Sequence, residues 1–168
     1  NDLIPFDDAA KIGTQKVIKD HSSLGIVVLS DGTINDFTVS DYLDAEKRVL
    51  QEMSELNKPY VIVLNSSMPN GEKAKLRKEE LFNQYGVPVI PINVKSMTSE
   101  EASLILKEAL YQFPVTGIEL SLPTWVNSLD DEHYIKLSLK ETIRLAMDQV
   151  KIVRDVNEIT EVIKTNEY

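Results

Sequence analysis

Between two prolines, Pro59 and Pro69, the chain runs Tyr60-Val-Ile-Val-Leu-Asn-Ser-Ser-Met68. The apolar run from Tyr60 to Leu64 is too short for an isolated helix and too uniformly apolar for a half-exposed strand. It reads as a strand buried on both faces of a parallel sheet. A polar elbow, Asn65-Ser66-Ser67, follows at its carboxyl end. In open α/β sheets ligands sit outside the carboxyl ends of the strands, so the elbow is the first place to seek a site.

The rest of the chain can be laid out around that strand. Asp7 or Asp8 caps a helix to about His21 with apolar positions Ala9, Ile12, Val17 and Ile18. Leu24–Leu29 is a second buried run, turned by Ser30-Asp31-Gly32-Thr33. Ser40 caps the next helix, whose spacing predicts an inner face of Tyr42, Ala45, Val49, Met53 and Leu56. A helix over Glu72–Tyr85 turns Leu76, Leu81, Phe82 and Tyr85 inward and stops at Gly86. Val87–Asn93 is a third strand, and Pro88 and Pro91 put it at or near an edge. Thr98 and Glu101 make a capping box for a helix burying Ala102, Ile105, Leu106, Ala109 and Leu110.

This helix–strand alternation, with right-handed crossovers, predicts a three-layer α/β fold on a parallel sheet over residues 1–113. The pattern then changes, and 114–168 reads as an appendage. Val115–Leu122 alternates as a further strand, with Ile118, Leu120 and Leu122 on one side. Trp125 is expected as an anchor between layers. One long helix from Asp130 carries the stripe Ile135, Leu139, Ile143, Ala146, Val150 and Val153, and Glu158–Lys164 extends it. The stripe suits intramolecular packing, with a partner-binding seam as the alternative. A sheet lacking neighbours would expose an edge, to be covered by dimerisation or by this helix.

Composition narrows the function classes. Eighteen basic residues against 27 acidic ones give a net charge of −9, which opposes a nucleic-acid or anionic-membrane binder. Cysteine is absent, which removes disulfides and thiol chemistry and suits a reducing cytoplasm. No run approaches a membrane span or a signal segment. The chain opens on Asn, as an excerpt or processed product would. No Gly-x-x-x-x-Gly-Lys-Ser/Thr loop and no Gly-x-Gly-x-x-Gly is present. His21 and His133 lack partners at metal-ligand spacing and read as helix-end residues, so no metal site is expected. Asp7, Asp8 and Asp31 do not reproduce a receiver's phospho-acceptor cluster, because the acidic pair opens a helix instead of closing a strand. No complete catalytic apparatus is visible.

At the elbow the chain resembles P-loop GTPases, where Asn-Lys-x-Asp follows such a strand and its Asp accepts guanine's ring-edge donors. The four positions here are Asn65, Ser66, Ser67 and Met68, and a methionine cannot accept those bonds, which removes guanine selectivity. Asn93 and Val94 stand where GTPases contact the base by backbone, and Asp31 ends the preceding strand. Short identities through the chain also make it similar to the stage IV sporulation protein A family of spore-coat ATPases. They include Ile4-Pro-Phe6, Ile12-Gly-Thr14, Asp31-Gly-Thr-Ile34, Ser40-Asp-Tyr42, Asn65-Ser66, Phe113-Pro-Val115, Trp125-Val126 and Arg154-Asp-Val156.

That resemblance implies a P-loop ATPase that polymerises as the basement layer of the spore coat. It implies a place in the mother-cell cytoplasm at the forespore surface. The implied partners are further copies of itself, other coat proteins and a small amphipathic membrane-anchoring peptide, with no nucleic acid. In that family the phosphate-binding loop, magnesium-binding Asp and sensor threonines precede this region, and none maps to a residue here. ATP and magnesium are therefore expected in the parent protein, with neither binding tightly to this chain alone. The competing reading is a non-enzymatic assembly module built on strand 115–122 and the long helix.

Overall fold

The computed structural model describes residue 13, residues 16–119 and residues 121–165, the last six as backbone. Three parallel strands form one sheet in the order β1-β2-β3: β1 Gly25–Ser30, β2 Tyr60–Asn65 and β3 Val89–Ile92. Helix α1 is described over 16–21; its expected start at Asp7 or Asp8, with Ala9 and Ile12, lies outside the described residues. Helices α2 Val39–Glu55, α3 Glu72–Tyr85 and α4 Ser99–Leu110 alternate with the strands. Residues 1–110 and 111–168 form two compact units.

β2 is the centre, with Tyr60 to Leu64 buried on both faces. Side chains of a strand alternate between faces, so Tyr60, Ile62 and Leu64 point one way. They join Val27, Val89, Leu50 and Met53 of α2, and Leu81 of α3. Val61 and Val63 point the other way, to Ile90 and Ile92 of β3 and to Ile105 and Ala109 of α4. The sheet is thus the middle of three layers. The third strand lies at an edge, where its prolines leave no ladder bond unmade.

The other edge departs from expectation. The first run is not buried through its length: Ile26 is 46% and Val28 59% exposed, because α4 covers β2 and β3 but not β1. Beside β1 lies a trough of about 610 Å³, floored by Gly25–Ser30 and walled by Tyr42, Ala45, Val49 and Met53. Of the face expected for α2, only Met53 is fully buried. The helix instead buries Glu46 and Leu50, turned toward α3, where the Arg77 guanidinium pairs with the Glu46 carboxylate. A reading by apolar period passes over a buried acid with a partner.

Caps explain where the helices begin and end. Thr38, not Ser40, opens α2: its N–H donates to the Asp41 carboxylate at 2.6 Å and its hydroxyl does so at 2.8 Å. Those bonds hold the Asp41 carboxyl below its ordinary pKa. The Thr98 and Glu101 capping box is present, with bonds of 2.9 and 3.2 Å. Gly86 ends α3 at φ 68°, a conformation favouring glycine, and its N–H donates to the Phe82 carbonyl. The Lys58 ammonium donates to the Lys19 and Ser22 carbonyls at the negative end of α1. Leu76, Phe82, Leu106 and Leu110, expected inward, are 51–61% exposed, since α3 and α4 each meet only one face of a narrow sheet.

In the second unit, Val115–Leu122 is not a strand. Residues 115–119 and 121–122 have no regular structure, and residue 120 lies outside the described residues. The segment's pairing is spent on a helix start: the Val153 and Arg154 N–H groups donate to the Phe113 and Tyr111 carbonyls, and Val115 N–H donates to the Lys151 carbonyl. This leaves one antiparallel bridge, Pro114 to Ile152. α5 Thr124–Asn127 is a single turn that buries Val126 and leaves Trp125 58% exposed, so Trp125 is not an anchor. Successive residues on a helix point about 100° apart, and one turn cannot turn both inward.

The expected long helix is two, α6 Tyr134–Met147 and α7 Val153–Thr165. The break is set by Asp155, whose carboxylate accepts from the Lys151 and Ile152 N–H groups at 2.8 and 2.9 Å and starts a new helix. Ile135, Leu139, Ile143, Ala146, Val150 and Val153 are all half-buried, so the stripe is a packing face carried across the break. His133 sits at the start of α6, its Nδ1 accepting from Ile135 N–H. Among the described residues no helix is long and apolar enough to cross a membrane.

Three outcomes follow for stability. Leu50 and Leu81 are fully buried, so truncation of either to Ala should cost about 2–5 kcal/mol in urea unfolding. Val28→Thr should cost little by the same measure and should lower self-association in sedimentation, since Val28 stands in solvent. Backbone bonds from Ile152 and Lys151 hold Asp155 below its ordinary pKa. A depressed folded pKa contributes stability that is complete above the unfolded carboxylate value of about 4 and lost as pH falls through the folded value. Helicity of the second unit should therefore fall on acidification in circular dichroism. Asp155→Asn, which keeps an acceptor but does not titrate, should flatten that fall; an unchanged acid limb would refute the assignment.

Candidate functional site

Parallel strands present their carboxyl ends on one side, and the register fixes which residues share that rim. Ser30 pairs with Asn65, and Asn65 with Ile92. The residues expected to form a site come just after: Asp31 past β1, Ser66 and Met68 past β2, Asn93 and Val94 past β3. The structure brings all of them together with Asn65.

Hydrogen bonds tie the three strand ends. The Asn65 side-chain oxygen accepts from Val94 N–H at 3.1 Å, linking β2 to the loop after β3. Ser66 N–H continues the ladder to the Ile92 carbonyl at 2.9 Å, and Asp31 N–H does so to the Asn65 carbonyl at 3.3 Å. Ser66 is fully buried, and its hydroxyl accepts from Met68 N–H at 3.0 Å. Asn93 is half-buried and folds its side-chain oxygen back to Lys95 N–H, opening the short 3-10 turn Val94–Ser96. Met68 and Val94 stand 67% and 40% exposed on the rim as apolar surfaces.

Asp31 behaves unlike a surface acid. It is 1% exposed, and its Oδ1 accepts from both the N–H and the hydroxyl of Thr33. The other oxygen, Oδ2, is buried with no partner among the described residues. Asp31 lines a cavity of about 450 Å³ with Val39, Lys73, Leu76, Arg77 and Glu80. Gly32, at φ 73°, makes the turn between them; a Cβ there would strain the backbone and press on Val39 N at 3.1 Å.

Thr33 is the participant that sequence reasoning missed. Its hydroxyl accepts from Ser67 N–H at 2.9 Å, joining the loop after β1 to the loop after β2 across 34 positions. The Asp-Gly-Thr turn was legible, since an Asp commonly accepts from the backbone two residues on. The bond to Ser67 was not, because it depends on the register of two strands.

Chemically the rim offers polar backbone and amide groups beside two exposed apolar side chains, a surface suited to a flat heteroaromatic edge. Among the described residues no group of three His, Asp or Glu side chains is placed to hold a metal ion.

Residues 1–114 match the family described as stage IV sporulation protein A, ATPase domain, and residues 115–168 match its middle domain. The stage IV sporulation protein A of Bacillus subtilis (strain 168) is 40% identical over 156 residues, 93% of this chain and 32% of that protein. That of Clostridioides difficile (strain 630) is 40% identical over 158 residues, 94% of this chain and 32% of that protein. The chain therefore spans about a third of the length of these relatives, and no solved structure matches it. With two consecutive domains of the family matched in order along its length and 40% identity to these relatives over the aligned residues, the chain belongs to the stage IV sporulation protein A family.

Proposed function

We propose that Asn65, Ser66, Met68, Asn93 and Val94 form the base side of a nucleotide cleft, in a sporulation protein that hydrolyses ATP to drive its own polymerisation. The observation that carries this reading is the junction of three strand ends, β2 to β3 by the Asn65–Val94 bond and β1 to β2 by the Asp31–Asn65 and Thr33–Ser67 bonds, at the carboxyl end of a parallel sheet where ligands bind. The match to an ATPase-domain family supports the nucleotide class. In this reading the half-sheet belongs to a P-loop GTPase-like domain. Met68 takes the place of a carboxylate that reads guanine, which leaves adenine as the base accepted.

ATP would supply the phosphoanhydride that is cleaved, with magnesium on its phosphates. This chain's residues hold and orient the base, and the phosphate and metal ligands belong to the longer protein. The product is the scaffold at the base of the spore coat, assembled from copies of the protein with coat proteins and a small amphipathic anchoring peptide. The place is the mother-cell cytoplasm at the forespore surface. A second reading, a non-enzymatic assembly module, is favoured by one observation: Tyr134, Leu137 and Leu145 of α6 are at least half exposed, outside the half-buried stripe.

The purified 168-residue chain should show no ATP turnover above background, since its sequence has no Gly-x-x-x-x-Gly-Lys-Ser/Thr loop to place a lysine on a transferred phosphoryl group. In the full-length protein, Met68→Asp should shift preference toward guanine nucleotides by about tenfold or more, measured as relative affinity for ATP and GTP. An unchanged ATP-to-GTP ratio would remove this rim from the base site.

A further inference from the structure

We propose that Asp31 and Thr33 are positioning residues that hold the Ser66–Met68 loop in the shape that receives the base. The inference rests on the reading of that loop as the base side of the cleft.

Beyond the ladder bond of Ser66, two side-chain oxygens anchor the loop's backbone. One is local: Met68 N–H donates to the Ser66 hydroxyl. The other comes from the neighbouring strand end, where Ser67 N–H donates to Thr33 Oγ1. A hydroxyl has one proton to give, and that of Thr33 goes to Asp31 Oδ1, leaving its lone pairs toward Ser67. A backbone N–H can only donate, so the Ser67 N–H sets the direction of the whole relay, through the Thr33 hydroxyl to Asp31 Oδ1. Burial of Asp31 and the bond of Thr33 N–H to the same Oδ1 at 3.0 Å fix the carboxylate in turn. Thr33 is β-branched, so few rotamers compete with the one that bonds. Neither residue needs to touch the ligand: both act through the backbone of Ser67, next to Met68.

The test uses full-length protein carrying Thr33→Val, Thr33→Ala, Thr33→Ser or Asn65→Ala. ATP affinity is compared with affinity for tripolyphosphate, which has no base. Thr33→Val and Thr33→Ala should each weaken ATP by about fivefold, the worth of one hydrogen bond, with tripolyphosphate unchanged. Thr33→Ser should restore ATP binding, and the Ser67 amide should exchange with solvent faster in the Val and Ala variants than in the Ser variant. Thr33→Ala covers the case in which the valine methyl prevents folding. If Asn65→Ala weakens ATP selectively while both Thr33 variants bind ATP as wild type, the positioning role is overturned and the base site stands. If none of the variants changes ATP binding, the base site itself is overturned. Equal loss of ATP and tripolyphosphate would mark Thr33 as structural only and would also overturn the inference.

Discussion

Burial of β2 on both faces is the constraint from which the rest follows. A strand with water on neither side must bond its backbone to a neighbour on each edge and pack a layer on each face. β1 and β3 supply the edges, α2 and α3 one face, and α4 the other. Parallel pairing then turns every strand end the same way. Asp31, Asn65 and Asn93 are neighbours for that reason, though more than 60 positions separate the first from the last.

The sheet is asymmetric around that centre. β3 closes one side with prolines, whereas β1 presents an edge with no strand beside it among the described residues. Its Ile26 and Val28 stand in solvent, and Tyr42, Ala45 and Val49 of α2 wall an open trough along it. These side chains have the spacing of a core face. They stay partly or wholly exposed among the described residues. Where α2 does have a neighbour, the contact is an ion pair: Glu46 and Arg77 are both largely removed from water, and Glu80 takes a second guanidinium bond at 2.7 Å. Such a pair specifies which helix meets which, because an unpartnered charge at that depth is costly.

At the rim, rigidity comes from side chains standing in for ladder bonds where the strands diverge. Asn65 replaces one toward Val94, and Thr33 replaces one toward Ser67. Both bonds reach backbone N–H groups, so they hold loop shape while leaving the exposed surface of Met68 and Val94 free to differ. A surface on such a frame can change its side chains without losing its geometry.

The order of elements from β1 to α4, the buried character of Tyr60–Leu64, the Thr98 and Glu101 box and the Gly86 stop were legible because each is a local rule, satisfied within a few residues. The rim was legible in part, since strand ends can be located without knowing how strands pair. Tertiary structure alone decided the rest. It gave Glu46 a partner on another helix and left β1 half exposed. It spent the backbone of residues 111–115 on the start of α7, and it joined Thr33 to Ser67. Apolar period records which side chains avoid water, but not which neighbour arrives to exclude it, and a partnered charge or a cross-strand hydroxyl leaves no period at all.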